Sequence, residues 1–130
     1  MRVGCTGIRR PVPTSLRDND PAIFDFFRRL SSAGMHMHML VIQDLDWNGY
    51  GMNPELILRM FESIPAFRCL KVEMVPAGVK YTQVLRATGG TMNGIRGVAL
   101  PQMIEALDRG VHGFNTTAIN RPFVRIYQFH

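Results

Sequence analysis

The sequence has few cysteines, few lysines and no long apolar segment, and each shortage excludes a class of protein. Two cysteines, Cys5 and Cys69, are too few for a disulfide scaffold and lack partners at zinc-ligand spacing. The longest uncharged apolar run, residues 35–42, is far shorter than the roughly 20 residues that span a bilayer. The first residues contain arginines where a secretory signal would be apolar. We therefore expect a cytoplasmic protein with free thiols and no membrane contact.

The basic residues are almost all arginines. Lys71 and Lys80 are the only lysines, although the formal net charge is +5. The arginines are scattered, and no basic tract is longer than the pairs Arg9-Arg10 and Arg28-Arg29. A nucleic-acid surface would need clustered basic residues interleaved with aromatic ones. The charge therefore indicates solvated helix faces and no nucleic-acid partner, and each lysine calls for its own explanation.

Helix-like and strand-like segments alternate along the chain. Asp20-Pro21 and Asn53-Pro54 each place a capping side chain before a proline, with Asp20 and Asn53 as the predicted N-caps. Short apolar runs bounded by turn residues predict strands between the helices. The predicted helices are 21–33, 53 to just before Pro65, 78–88, 100–109 and one opened by Asn120. The predicted strands are 37–43, 67–72, 91–95 and 112–117, and a fifth would end within 1–5. Residues 6–19, rich in proline and arginine, are predicted to be a loop.

The spacing of about 20 to 25 residues per repeat is typical of βα units around a parallel sheet. A complete (β/α)8 barrel, or TIM barrel, needs about 250 residues. The 130 residues can therefore form a small open sheet or about half of such a barrel. We predict an α/β fold in one domain, residues 1–130, with about four to five parallel βα units.

Lys71 carries the clearest chemical signal. Period-two alternation over 67–72 places Phe67, Cys69 and Lys71 on one face, with Lys71 at the carboxyl end of its strand. Parallel sheets build their sites at that end. Burial there would favour the uncharged amine, which is the form that adds to a carbonyl group. Two other interpretations stay open on spacing alone, because the side chain could extend into water or pair with Glu73.

Several segments together resemble a known family. The run 69–73 (Cys-Leu-Lys-Val-Glu), followed by Pro76, Gly78 and Lys80 and preceded by 41–44 (Val-Ile-Gln-Asp) and 51–56 (Gly-Met-Asn-Pro-Glu-Leu), is similar to the second half of the dihydrodipicolinate synthase / N-acetylneuraminate lyase family. Downstream, Gly94, Gly97, 103–107, Arg109-Gly110 and His112-Gly113 resemble its seventh strand, seventh helix and eighth strand. The resemblance covers residues 22–130 and depends on the order and spacing of these segments together.

The resemblance implies a partial (β/α)8 barrel and the chemistry of class I, Schiff-base aldolases and lyases. Lys71 matches the lysine that forms an imine with pyruvate or another 2-keto acid, after which a carbon–carbon or carbon–oxygen bond is made or broken. Such a lyase needs no metal or organic cofactor. Gly94 matches a strand glycine that leaves room for the keto acid. Asn115 matches a position whose backbone carbonyl faces the lysine.

Two departures from the family limit the expected activity. Gln43 stands where most catalytic members have a proton-relaying tyrosine, and a glutamine cannot ionise. Asp44 could act instead as acid or base, or could cap the following loop. The carboxylate-binding Gly-Thr-Thr-Gly-Glu motif also has no counterpart, because residues 4–7 match it only superficially and Ile8 replaces the acid.

We therefore expect a fragment with weak or no activity alone, which associates with a second copy or with a missing half-barrel. The alternative function is a non-catalytic α/β module that acts through self-association, since a partial barrel has two open edges and unpartnered inward side chains.

Other residues give weaker signals. His36 and His38 share a predicted strand face, but no third ligand accompanies them, so packing or rim positions explain them and no metal site is predicted. Trp47 and Tyr50 follow the strand at 37–43 and could line a pocket or lie on an exposed loop.

Overall fold

The chain forms a five-stranded parallel sheet whose strands alternate with helices. The computed structural model describes residues 6–33, 37–46, 49, 51–97, 102–115 and 120–129. The strands are β1 (Gly7–Pro11), β2 (Met39–Leu45), β3 (Phe67–Glu73), β4 (Asn93–Arg96) and β5 (Gly113–Phe114), and they pair in chain order. The helices are α1 (Asp20–Ala33), α2 (Pro54–Ser63), α3 (Gly78–Ala87), α4 (Met103–Asp108) and α5 (Asn120–Phe129), with a 3-10 turn at Thr14–Leu16. The predicted α/β class is confirmed.

Strand β1 corrects the sequence prediction, because Gly7–Pro11 lies inside the segment 6–19 that we expected to be a loop. Proline is depleted in strands, but the segment pairs in parallel with Met39–Gln43. A proline is tolerated in an edge strand such as this one. Residues 1–5, where the fifth strand was expected to end, lie outside the described residues, as do residues 116 and 117 of the strand expected at 112–117.

The helix starts follow from local chemistry. The Asn53 side chain accepts a hydrogen bond from the Glu55 backbone N–H at 3.0 Å, and Pro54 occupies the first turn of α2. In α1 the capping side chain is that of Asn19, which accepts from the Ala22 N–H at 3.1 Å. The sequence pattern predicted Asp20 as the N-cap, but the capping residue is Asn19, one position earlier. None of the described helices has the length and apolar character needed to cross a bilayer.

A single main core lies between the sheet and the helices. Its buried side chains come from one face of β2 and β3 and from the inner faces of α1, α2 and α3. They include Leu40, Ile42, Leu70, Val72, Phe27, Ile57, Met60 and Tyr81. Burying this apolar face of the sheet is the main force that holds the βα units together.

A β-bulge resets the alternation in β3. Leu40 is paired with Phe67, but the next residue, Val41, is paired with Cys69, so Arg68 is the extra residue. Phe67 consequently points toward the helices and packs edge-on against Phe61 of α2, with ring centroids 6.4 Å apart. The prediction that Phe67 shares a face with Cys69 and Lys71 was therefore wrong.

The other face of the sheet is concave. Arg9 of β1, paired in register with Val41, donates from Nη1 to the Asn115 Oδ1 at 3.3 Å. Because β1 and β5 are the two edges of the sheet and Asn115 directly follows β5, one arginine side chain reaches from edge to edge. The sheet is therefore strongly curled, and Val41, Cys69 and Lys71 on this face are buried.

The bulge leads to a test of stability. We expect Phe67→Ala to lower the free energy of unfolding by about 3–5 kcal/mol, since it leaves a cavity between β3 and α2. Val79→Ala, at a position 61% exposed on α3, should change it by less than about 0.5 kcal/mol. Chemical denaturation of both variants measures the difference. Equal, small losses would contradict the placement of Phe67 in the helix-side core.

Candidate active site

A buried amine and a partly buried carboxylate meet on the concave face of the central strand. Lys71 lies near the carboxyl end of β3, and its side chain is 6% exposed. Its Nζ lies 3.0 Å from the Glu73 Oε1, and the Glu73 side chain is 13% exposed. The prediction that Lys71 could pair with Glu73 is confirmed. The alternative, that its side chain extends into water, is wrong. The two residues are two positions apart in an extended strand, which places both side chains on the same face.

Gln43 joins this pair from the neighbouring strand. Gln43 and Lys71 are partners in the register of β2 and β3. The Gln43 amide nitrogen, Nε2, donates a hydrogen bond to the Glu73 Oε2. The carboxylate therefore binds the amine through one oxygen and the amide through the other. The structure brings Lys71 and Gln43 together with Glu73, whose pairing with the lysine was one of the interpretations that the sequence left open.

Gly97, just after β4, makes room for the carboxylate. A Cβ atom at this position would overlap the Cγ and Cδ of Glu73. The Gly97 N–H donates to the Val72 carbonyl oxygen at 3.3 Å, which extends the pairing of β4 with β3. The sequence offered Gly97 only as part of the family resemblance. Its function in this structure is steric, because any side chain there would displace Glu73.

Asp44 faces the opposite way. Its Oδ2 lies 2.7 Å from the Lys80 Nζ, and its Oδ1 accepts from the Met52 N–H at 2.8 Å. The Lys80 amine also donates to the Met52 carbonyl oxygen at 2.8 Å. Asp44 thus caps the loop after β2, one of the two expected alternatives, and ties it to α3. Because neighbouring residues of a strand point to opposite faces, the structure does not bring this carboxylate to Lys71.

Burial and the neighbouring charge have opposite effects on Asp44 in its buried pair with Lys80. Burial raises the pKa of Asp44 above its ordinary value of 3.8, while the charge of Lys80 and the hydrogen bonds from Lys80 and Met52 act in the opposite direction. Gly51 has a φ of 63°, and a side chain there would overlap the Asp44 carboxylate. The loop is therefore built around this carboxylate and serves as scaffold.

The remaining predicted site residues lie elsewhere. A Cβ at Gly94 would sit 3.5 Å from the Tyr81 ring and 3.6 Å from Leu85, so its open side faces α3 and not the amine. Asn115 is exposed and accepts the hydrogen bond of Arg9. His38 is exposed, and His36, Trp47 and Tyr50 lie outside the described residues.

The described surface also contains clefts and no cluster suited to a metal. Among the residues that the structure describes, no group of three His, Cys, Asp or Glu side chains could hold a metal ion. A cleft of about 870 Å³ runs along α5, and one of about 550 Å³ lies between residues 51–54 and the start of α3. Both are lined by residues other than Lys71, Gln43 and Glu73. The candidate site therefore lies outside both clefts.

Comparison with known proteins supports the fold. No family model and no curated protein matches the sequence. Among solved structures, a protein from Coccidioides immitis assigned to the dihydrodipicolinate synthase family superposes on 97% of this chain with a TM-score of 0.79 and 17% sequence identity. The chain spans 40% of the length of that structure. At this identity the likeness shows a shared fold, which confirms the prediction of parallel βα units that form part of a (β/α)8 barrel.

The Asp44–Lys80 pair yields a test with a defined dependence on pH. Lys80→Met leaves a buried carboxylate without its counter-ion, and we expect it to cost about 3–5 kcal/mol of stability near neutral pH. Burial raises the folded-state pKa of Asp44 above its unfolded value. The cost should therefore shrink as the pH falls and the folded state takes up a proton at Asp44 before the unfolded state does.

Denaturation by urea near neutral pH and at about pH 5 measures this change. The control is Arg109→Met, which breaks the more exposed pair with Glu105 on α4 and should cost less than about 1 kcal/mol at either pH. A cost for Lys80→Met that is small or independent of pH would contradict the scaffold function of the pair.

Proposed function

We propose that the chain is a class I aldolase- or lyase-like protein in which Lys71 forms an imine with pyruvate or another 2-keto acid. The observation that carries the proposal is a primary amine, 6% exposed, near the carboxyl end of the central parallel strand. Active sites of (β/α)8 barrels lie at that end of the strands. The likeness of the fold to a dihydrodipicolinate synthase family protein is consistent with this location.

The two lysines of the chain have different surroundings, and this difference supports Lys71 as the reacting amine. The Lys80 amine is bound by the Asp44 carboxylate and by the Met52 carbonyl oxygen, on the side of the sheet that faces the helices. The Lys71 amine lies on the concave face, where its described partner is the Glu73 carboxylate. An amine on the concave face can receive a ligand without disturbing the helix layer. Lys71 is therefore the nucleophile in this proposal, and Lys80 is structural.

Burial of Lys71 suits the condensation of an amine with a ketone. Imine formation releases water, so a site shielded from bulk solvent favours the imine over its hydrolysis. Once formed, the iminium accepts the electron pair of a neighbouring carbon–carbon or carbon–oxygen bond as that bond breaks, or stabilises the reverse reaction. The imine supplies this electron sink without a metal ion or an organic cofactor.

Borohydride trapping tests the nucleophile directly. Incubation of the full chain with pyruvate and borohydride should increase its mass by one reduced pyruvate, and peptide mapping should place the adduct on Lys71. Lys71→Met should give no adduct, because the amine is lost. Lys80→Arg, which keeps a cation opposite Asp44, should still be trapped. The absence of an adduct on the native chain, or an adduct that persists in Lys71→Met, would refute the proposal.

A second candidate function is supported by the edges of the sheet. Within the described sheet, β1 pairs with β2 alone and β5 pairs with β4 alone. Apolar side chains lie near the β1 edge, with Ile8 of β1 41% exposed and Met39 of β2 43% exposed. Exposed strand edges that carry apolar side chains are sites of pairing with another chain. On this observation the chain would be a module that associates with a second copy or with another part of a barrel.

Light scattering after size-exclusion chromatography tests the association. We expect the native chain to be a dimer and Ile8→Lys to shift it toward the monomer, since a lysine on an edge strand opposes pairing. Val79→Lys, at an exposed position of α3 away from both edges, should leave the mass unchanged. A native chain that is monomeric at every concentration would contradict the association. A dimer that traps no keto acid would favour the non-catalytic module.

A further inference from the structure

We infer that Glu73 is the catalytic group that moves protons at this site, in place of the tyrosine that the resembled family carries at the position of Gln43. The inference rests on the proposed function of Lys71. Its basis is the contact between the Glu73 Oε1 and the Lys71 Nζ at 3.0 Å, which is hydrogen-bonding distance to the atom that would react. A carboxylate can accept a proton and return it, which the Gln43 amide cannot do.

Three neighbours fix the position of this carboxylate. Lys71 binds one oxygen, and the Gln43 amide donates to the other. The backbone at Gly97 lies directly against the side chain, where any Cβ would overlap it. The Glu73 side chain is 13% exposed, so water competes little for its oxygens. Gln43 thus acts as a positioning residue, which holds one oxygen while the other serves the amine.

The proton transfers balance with one carboxylate. The Lys71 ammonium gives a proton to Glu73, and the free amine attacks the ketone carbon, forming the carbon–nitrogen bond as the carbonyl electron pair moves to oxygen. Glu73 returns its proton to that oxygen and then takes one from the nitrogen, which gives a neutral carbinolamine. It then delivers this second proton to the hydroxyl group of the carbinolamine. The carbon–oxygen bond breaks, water departs, and the product is the iminium. Glu73 ends as the carboxylate with which it began.

Other ionisable groups near the lysine are less suited to this function. Asp44 is held by Lys80 and by the Met52 N–H on the opposite face of the sheet. Cys69 shares the face of Lys71, but burial raises the pKa of its thiol, which makes it a poor proton acceptor near neutral pH. The Tyr81 hydroxyl donates to the Ile95 carbonyl oxygen at 2.7 Å, and its ring belongs to the helix-side core. Glu73 is the carboxylate for which the structure shows direct contact with the amine.

The test measures how fast the imine forms, by borohydride trapping of the full chain with pyruvate across a range of pH. We expect Glu73→Gln to slow trapping by about 10²-fold or more, since a positioned acid–base group typically contributes at least that factor. The dependence of its rate on pH should differ from the native one, because solvent must then remove the ammonium proton in place of the Glu73 carboxylate. Glu73→Asp should restore part of the rate.

The matched control is Glu105→Gln, which makes the same change at an ion-paired carboxylate on α4 and should leave both the rate and its pH profile unchanged. If Glu73→Gln does not fold, Gln43→Met takes its place. This variant keeps the carboxylate but removes its amide donor, and it should also alter the pH profile. Trapping of Glu73→Gln, or of Gln43→Met in its place, with the native rate and profile would overturn the inference and leave Lys71 as the nucleophile. A native chain that traps nothing overturns the proposed function itself.

Discussion

The buried contact between Lys71 and Glu73 is the constraint on which the site depends. Two opposite charges taken out of water cost several kcal/mol each, and that cost is offset only when both groups keep close partners. The amine has the carboxylate at 3.0 Å, and the carboxylate has the Gln43 amide on its other oxygen. This requirement explains the residue types at two neighbouring positions, 43 and 97. A donor must stand at position 43, and position 97 must be a glycine that leaves space for Glu73.

Strand geometry separates chemistry from scaffold. Gln43 and Asp44 are adjacent in β2, yet they serve opposite faces of the sheet. On the concave face, Gln43 contributes to the proposed reaction site. On the helix side, Asp44 binds Lys80 and the Met52 backbone and so fixes the loop between β2 and α2. Each lysine of the chain thus lies against a carboxylate. Lys71, beside the partly buried Glu73, is the proposed nucleophile, and Lys80, beside the buried Asp44, ties the sheet to α3.

Local signals in the sequence predicted most of the helices and strands, because helix caps and apolar periodicity depend on residues that are close together in the sequence. They failed where long-range pairing decides. Strand β1 contains arginines and a proline and exists because it pairs with β2. The inward turn of Phe67 follows from a bulge that appears only in the register with β2. The sequence suggested Lys71 and Gln43 as candidates, whereas the contact of Glu73 with Gln43 depends on the register of β2 and β3. Gly94 likewise faces α3 because of its place in β4.

The central claim is that a 2-keto acid condenses with one particular amine and not with the other. With only two lysines, the side-chain nitrogen signals of an isotopically labelled chain can be assigned individually by NMR. On addition of pyruvate labelled at its ketone carbon, the account predicts that the Lys71 nitrogen becomes coupled to that carbon as an iminium, while the Lys80 nitrogen keeps its signal. Two lysine signals that stay unchanged at saturating pyruvate would contradict it.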